Sequence, residues 1–113
     1  MNTSEVIKSK DHIVVELVEY VPGGVLSRTI LKKTTGNVTA LSFDIGEELG
    51  DNISPFDIFI QIIDGQAELI INKIVHQLLA GDGIIIPANA TYCFNAKEKF
   101  KMISTVFESS YEM

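Results

Sequence analysis

The chain has 113 residues and a mass of 12.5 kDa, which leaves room for one domain and none for a second. A content of 46% hydrophobic and 21% charged residues excludes a disordered chain, and 15 acidic against 9 basic residues, a net charge of −6, excludes a phosphate-tracking nucleic-acid surface. The single cysteine, Cys93, excludes an internal disulfide framework and any zinc site built from two or more thiolates.

The first ten residues, MNTSEVIKSK, are polar and hold no apolar signal segment, so a cytoplasmic location is expected. No apolar run approaches the roughly 18–20 residues that span a bilayer, and no membrane partner is expected. Residues 4 to 10 have room for one helical turn at most. From there the apolar period is two. Ile13 to Val18 is rich in β-branched residues and reads as a strand closed by Pro22-Gly23-Gly24. Val25 to Leu31 is a second strand, Thr35-Gly36-Asn37 a turn, and Val38 to Phe43 a third strand. Residues 44 to 57 hold two glycines, one proline and five acids, which is loop composition.

Ile58 to Ile63 is a strongly apolar strand, and the Asp64-Gly65 after it is a hairpin signal because it tolerates positive φ. Ala67 to Ile71 and Ile74 to Leu79 follow, joined by a turn at Asn72-Lys73. Gly81-Asp82-Gly83 turns the chain into Gly83 to Ile86, which Pro87 ends. Thr91 to Asn95 is short and extended, and Phe100 to Phe107 is the last strand. Nine or so short strands without a helical stripe imply an all-β jelly-roll barrel, because short strands around one core must close or stack to protect their edges.

Residues 37 to 107 resemble the cupin superfamily of small jelly-roll barrels (the double-stranded β-helix). Gly46 and Gly65 frame its first signature, and Gly81-DGIII-Pro87 reproduces the glycine-to-proline spacing of its second. The resemblance implies a single barrel domain over residues 1–113, with residues 1–12 as an N-terminal arm. It also marks where such barrels carry metal ligands. Those positions fall on Asn52, Ser54, Ile58 and Tyr92, the proline-x-glycine becomes Pro87-Ala88-Asn89, and the final asparagine position falls on Ala96. Aliphatic and phenolic groups are poor donors, and both histidines, His12 and His76, lie outside the frame. No metal and no cofactor are therefore expected.

In that frame Asn52, Ser54, Ile58, Tyr92 and Phe94 point inward, and Ile60 and Ile62 share the face of Ile58. The expected cup is apolar, with Tyr92, Asn52 and Ser54 as polar handles and Asp57 at the strand mouth. It is either a small-molecule site or a core filled by its own side chains. Cys93 faces away from the cup. The expected function is a metal-free small-molecule-binding or sensing domain. The alternative is an enzyme, either an isomerase or epimerase or a metal-dependent oxygenase with atypical oxygen ligands.

Mean hydropathy is +0.24, and the strand at Ile58–Ile63 is apolar on both faces. A strand of that kind is covered on both faces. A second sheet or a second subunit is expected over the outer one, and the resemblance implies a homodimer.

Overall fold

The computed structural model describes residues 5–108. Among them eight strands alternate with tight turns: β1 (Val25–Lys33), β2 (Gly36–Phe43), β3 (Glu48–Ile53), β4 (Ile58–Ile71), β5 (Ile74–Leu79), β6 (Gly83–Ile86), β7 (Thr91–Asn95) and β8 (Phe100–Phe107). All pairings are antiparallel. One sheet runs β1, β2, β8, the first half of β4, and β6. The other runs β5, the second half of β4, β7 and β3. The all-β jelly roll expected from the turn spacing is the observed architecture. No helix is long and apolar enough to cross a membrane among the described residues.

β4 joins the two sheets, and it corrects one expectation. Asp64-Gly65 is not a hairpin turn, because the strand continues through it. The register shifts between Ile62 and Asp64, and Gly65 adopts φ +72° and remains paired with Phe100. A bulge and a left-handed glycine bend the strand, so that one segment serves both sheets. A Cβ at Gly65 would collide with the Lys99 carbonyl oxygen, so this position is restricted to glycine by both conformation and space.

The second correction concerns Ile13–Val18, which is not a strand. It holds a short 3-10 turn, Val14–Glu16. Leu17 and Val18 are buried, and with Val6 they pack on Ala40 and Ile103 of the first sheet, flanked by Ile30, Val38 and Ile63. The apolar outer face is thus covered in part by the chain's own N-terminal segment. The third correction is β3, which lies inside the span expected to be loop.

Four bonds fasten the segment to the sheet. The Ser42 hydroxyl donates to the Glu19 carbonyl at 2.7 Å, the Lys101 ammonium to the Val15 carbonyl at 2.7 Å, Arg28 to the Leu17 carbonyl at 3.2 Å, and the Tyr20 hydroxyl to Asp64 at 2.7 Å. The Lys99 and Lys101 ammonium groups lie 4.7 and 4.9 Å from the centre of the Tyr20 ring.

Burial, then the hydrogen bond to anionic Asp64, pushes the Tyr20 phenol well above its usual value of 10.0. The folded chain favours the neutral phenol, so this contribution is complete below pH 10 and is lost as the pH rises above it. Tyr20→Phe should cost about 1 kcal/mol at neutral pH. It should also flatten the fall of stability above pH 10, which urea unfolding at pH 8 to 11 would measure. An unchanged alkaline slope would show that Tyr20 does not carry it.

Candidate functional site

The interior between the sheets is the place to look for chemistry, because the frame residues converge there. β4 places Ile58, Ile60 and Ile62 inside, β7 places Phe94, and β8 places Phe100 and Met102, with Phe43, Leu69 and Ile86 closing the cluster. Phe43 and Phe100 stack with ring centroids 4.5 Å apart at 11°. Phe94 leans on both, at 6.0 and 6.1 Å. These rings lie on the barrel's inside face; of the three, Phe94 is the one the resemblance marked as inward.

Of the residues singled out in the sequence, Ile58, Ile60 and Phe94 meet in this cluster and Tyr92 packs against it from the rim. The Tyr92 ring stands edge-on to Phe94 at 6.2 Å, and burial raises its phenol pKa. Asn52 is the cross-strand partner of Tyr92, and its amide donates to the Gly50 carbonyl.

Ser54 and Asp57 are used elsewhere. The Ser54 hydroxyl both donates to the Phe56 carbonyl and accepts from the Phe56 N–H, each at 3.0 Å. Asp57 is exposed and accepts the Ala88 N–H at 2.8 Å, while the Asn89 N–H donates to the Ser54 carbonyl at 2.6 Å. These two bonds tie the β3–β4 loop to the β6–β7 loop at the barrel mouth. Asn89 sits at φ +70°, which explains how asparagine replaces the glycine of the signature: asparagine tolerates the left-handed region.

Among the described residues the buried polar side chains are Ser42, Glu68 and Lys101. Each alternates with inward neighbours: Ser42 with Leu41 and Phe43, Glu68 with Ala67 and Leu69, Lys101 with Phe100 and Met102. All three therefore face outward. Glu68 accepts from Lys97 at 2.9 Å, Asn95 at 3.1 Å and Gln77 at 3.2 Å, and the Lys97 ammonium, then Asn95, holds its carboxyl below the usual range. This network lies on the outside of the second sheet. The sequence reading missed it, although Glu68 and Gln77 on paired strands at matching parity were its visible signal.

Cys93 also faces outward. It lines a small hollow with Asp51, Ile70, Lys73, Thr91 and Tyr92. Burial, followed by the Asp51 carboxylate, pushes its thiol up, away from thiolate reactivity. Of five hollows on the surface of the described residues, none has Asn52, Ser54, Asp57, Ile58, Ile60 or Phe94 in its wall.

The donor set does not fit a transition metal. The four positions that the resemblance marks hold an aliphatic group, a phenol, an amide and a hydroxyl; the amide is engaged within its own strand and the hydroxyl within its own loop. Among the described residues no three His, Cys, Asp or Glu side chains come together in a way that would hold an ion.

No protein-family model matches the chain, and no curated protein does. Solved structures do. A conserved protein of unknown function from Streptococcus pyogenes superposes with a TM-score of 0.89 at 26% identity, over 98% of this chain and 97% of that one. A cupin superfamily protein from Desulfitobacterium hafniense gives 0.87 at 19% identity, over 96% and 100%. A cupin 2 conserved barrel domain protein from Leptotrichia buccalis gives 0.80 at 28% identity, over 82% of this chain and 45% of that one. With the frame glycines at Gly46, Gly65 and Gly81 all in positive-φ conformations, the barrel topology and these neighbours show that the chain has the fold of a small cupin-type barrel.

Proposed function

We propose that this cupin-type domain works without a metal, as a binding module for a small, largely apolar molecule received at the barrel mouth. Aromatic and aliphatic side chains fill the inner face and the buried polar residues of the described chain all face the other way, which supports the metal-free part of the reading; the binding part is placed at the rim, outside that filled core. A site of this kind offers surface complementarity and one or two polar anchors. Tyr92, half-buried against Phe94, supplies a phenol at the rim, and Asn52 stands across from it. Nothing in that arrangement activates water or abstracts a proton: the Tyr92 phenol is raised, which makes it a poorer base-former at neutral pH.

The binding reading is tested by titrating a panel of small aromatic and aliphatic carboxylates, alcohols and amides into nitrogen-15-labelled protein. Amide shifts concentrated at Asn52, Ala88, Tyr92 and their strand neighbours are the expected result. Saturating shifts confined to another part of the surface, or none from any compound, would overturn it. The metal-free reading is tested separately. Protein incubated with iron(II), manganese(II), nickel(II) or zinc(II) and then desalted should retain well under one ion per chain by elemental analysis. A stoichiometric ion lost on Tyr92→Phe would contradict it.

A further inference from the structure

β4 bends midway, where the bulge before Asp64 and the left-handed Gly65 pass it from one sheet to the other. Beside the bend is a hollow of about 410 Å³. Four segments far apart in the sequence form its wall: Tyr20 of the N-terminal segment, residues 64–66 of β4, Leu79 at the end of β5, and Glu98 and Lys99 in the turn between β7 and β8. None of the residues assigned to the barrel mouth is among them. The wall is held in place at two points. The Lys99 carbonyl lies so close to Gly65 that no side chain fits between them, and the Tyr20 hydroxyl donates to Asp64 at 2.7 Å.

Charges of both signs face this hollow without pairing with each other. Among the described residues the one ion pair joins Lys97 to Glu68, so Lys99 pairs with neither Asp64 nor Glu98. The Lys99 ammonium lies 4.7 Å from the centre of the Tyr20 ring. Lys101 shares that ring at 4.9 Å, but its ammonium donates to the Val15 carbonyl. Asp44, a further carboxylate that feels Lys99, is held by the Gly23 and Ile45 N–H groups at 2.7 and 2.9 Å. One oxygen of Asp64 accepts from Tyr20, and the other accepts no hydrogen bond among the described residues. Leu79 gives the wall its apolar part. Its N–H and its carbonyl are both bonded to Asp82, so it presents only its side chain, and the residue is 55% accessible.

An ion of one sign does not suit this set. An anion on Lys99 would meet repulsion from Asp64 and Glu98, and a cation on Asp64 would meet it from Lys99 and Lys101. A molecule with an ammonium and a carboxylate on one carbon answers both signs at once, through hydrogen bonds between ionised groups. The volume falls in the lower part of the range of about 300–1,000 Å³ that small-molecule sites occupy. We propose that the hollow binds a free α-amino acid with an aliphatic side chain. Its carboxylate lies on the Lys99 ammonium, its ammonium on Asp64 and Glu98, and its side chain on Leu79. The site is separate from the barrel mouth, and the proposal does not depend on the binding reading given to that mouth.

The full chain, labelled with nitrogen-15 and titrated with L-leucine, should show saturating amide shifts at residues 64–66, Leu79, Glu98 and Lys99. L-leucinamide lacks the carboxylate and N-acetyl-L-leucine lacks the ammonium, and each should bind about tenfold more weakly or worse. Lys99→Met should weaken L-leucine to a similar degree and leave L-leucinamide within about twofold. Asp64→Asn should weaken L-leucine likewise and leave N-acetyl-L-leucine unchanged. If Asp64→Asn fails to fold, the exposed Lys99 position decides the matter alone. Equal affinity for either one-charge analogue, an L-leucine affinity indifferent to Lys99→Met, or shifts confined to the barrel mouth would each overturn the proposal. So would the absence of saturation with L-leucine, L-isoleucine and L-methionine alike.

Discussion

The packing of three phenylalanines inside the barrel is the constraint on which the rest of this structure depends. Phe43 arrives from β2, Phe94 from β7 and Phe100 from β8, so three strands of two sheets meet through rings no more than 6.1 Å apart. Aromatic contacts of this kind contribute about 0.5–1.5 kcal/mol beyond the area they bury. They also occupy volume. A barrel whose inner face is filled by rings and by Ile58, Ile60 and Ile62 has little space there for a ligand cluster, and nothing inside that would coordinate one.

Polar interactions are displaced to the outside as a consequence. Glu68, Lys101 and Ser42 are buried, yet each is satisfied on the outward side of its strand. Lys101 and Ser42 hold the N-terminal segment, which in turn shields Ala40 and Ile103. A strand apolar on both faces therefore acquires its second cover partly from within the same chain.

The inward positions were legible in the sequence because alternation leaves little freedom. Ile58 and Phe94 lie inward as the resemblance implies, and Ile60 and Ile62 share the face that a period of two then assigns them. The frame glycines were legible because the left-handed region is costly to other residues. Local signals failed where the whole fold outweighs them. Val14-Val15 has strand propensity, but the segment that holds it lies across the outside of the barrel and its backbone is satisfied by side chains of β1 and β8. Asp64-Gly65 is a hairpin pair in isolation, and in this barrel the same freedom in φ bends a long strand instead. β3 was hidden because Glu48, Gly50, Asp51 and Asn52 fill most of it with loop-favouring residues and its partner β7 is distant in sequence. At the candidate site, the resemblance marked Ile58, Tyr92 and Phe94, and the apolar floor was completed at Ile60 and Ile62 by alternation. Neither could foresee that Ser54 and Asp57 would fasten two loops, since that depends on where the residues near Ala88 come to rest.

Whether the interior is a packed apolar column is tested most directly by the unfolding free energy of Phe94→Ala. A side chain held between Phe43, Phe100 and Tyr92 predicts a loss of about 3–5 kcal/mol in urea. A loss under about 1 kcal/mol would mean that Phe94 lines an open cup rather than a filled core.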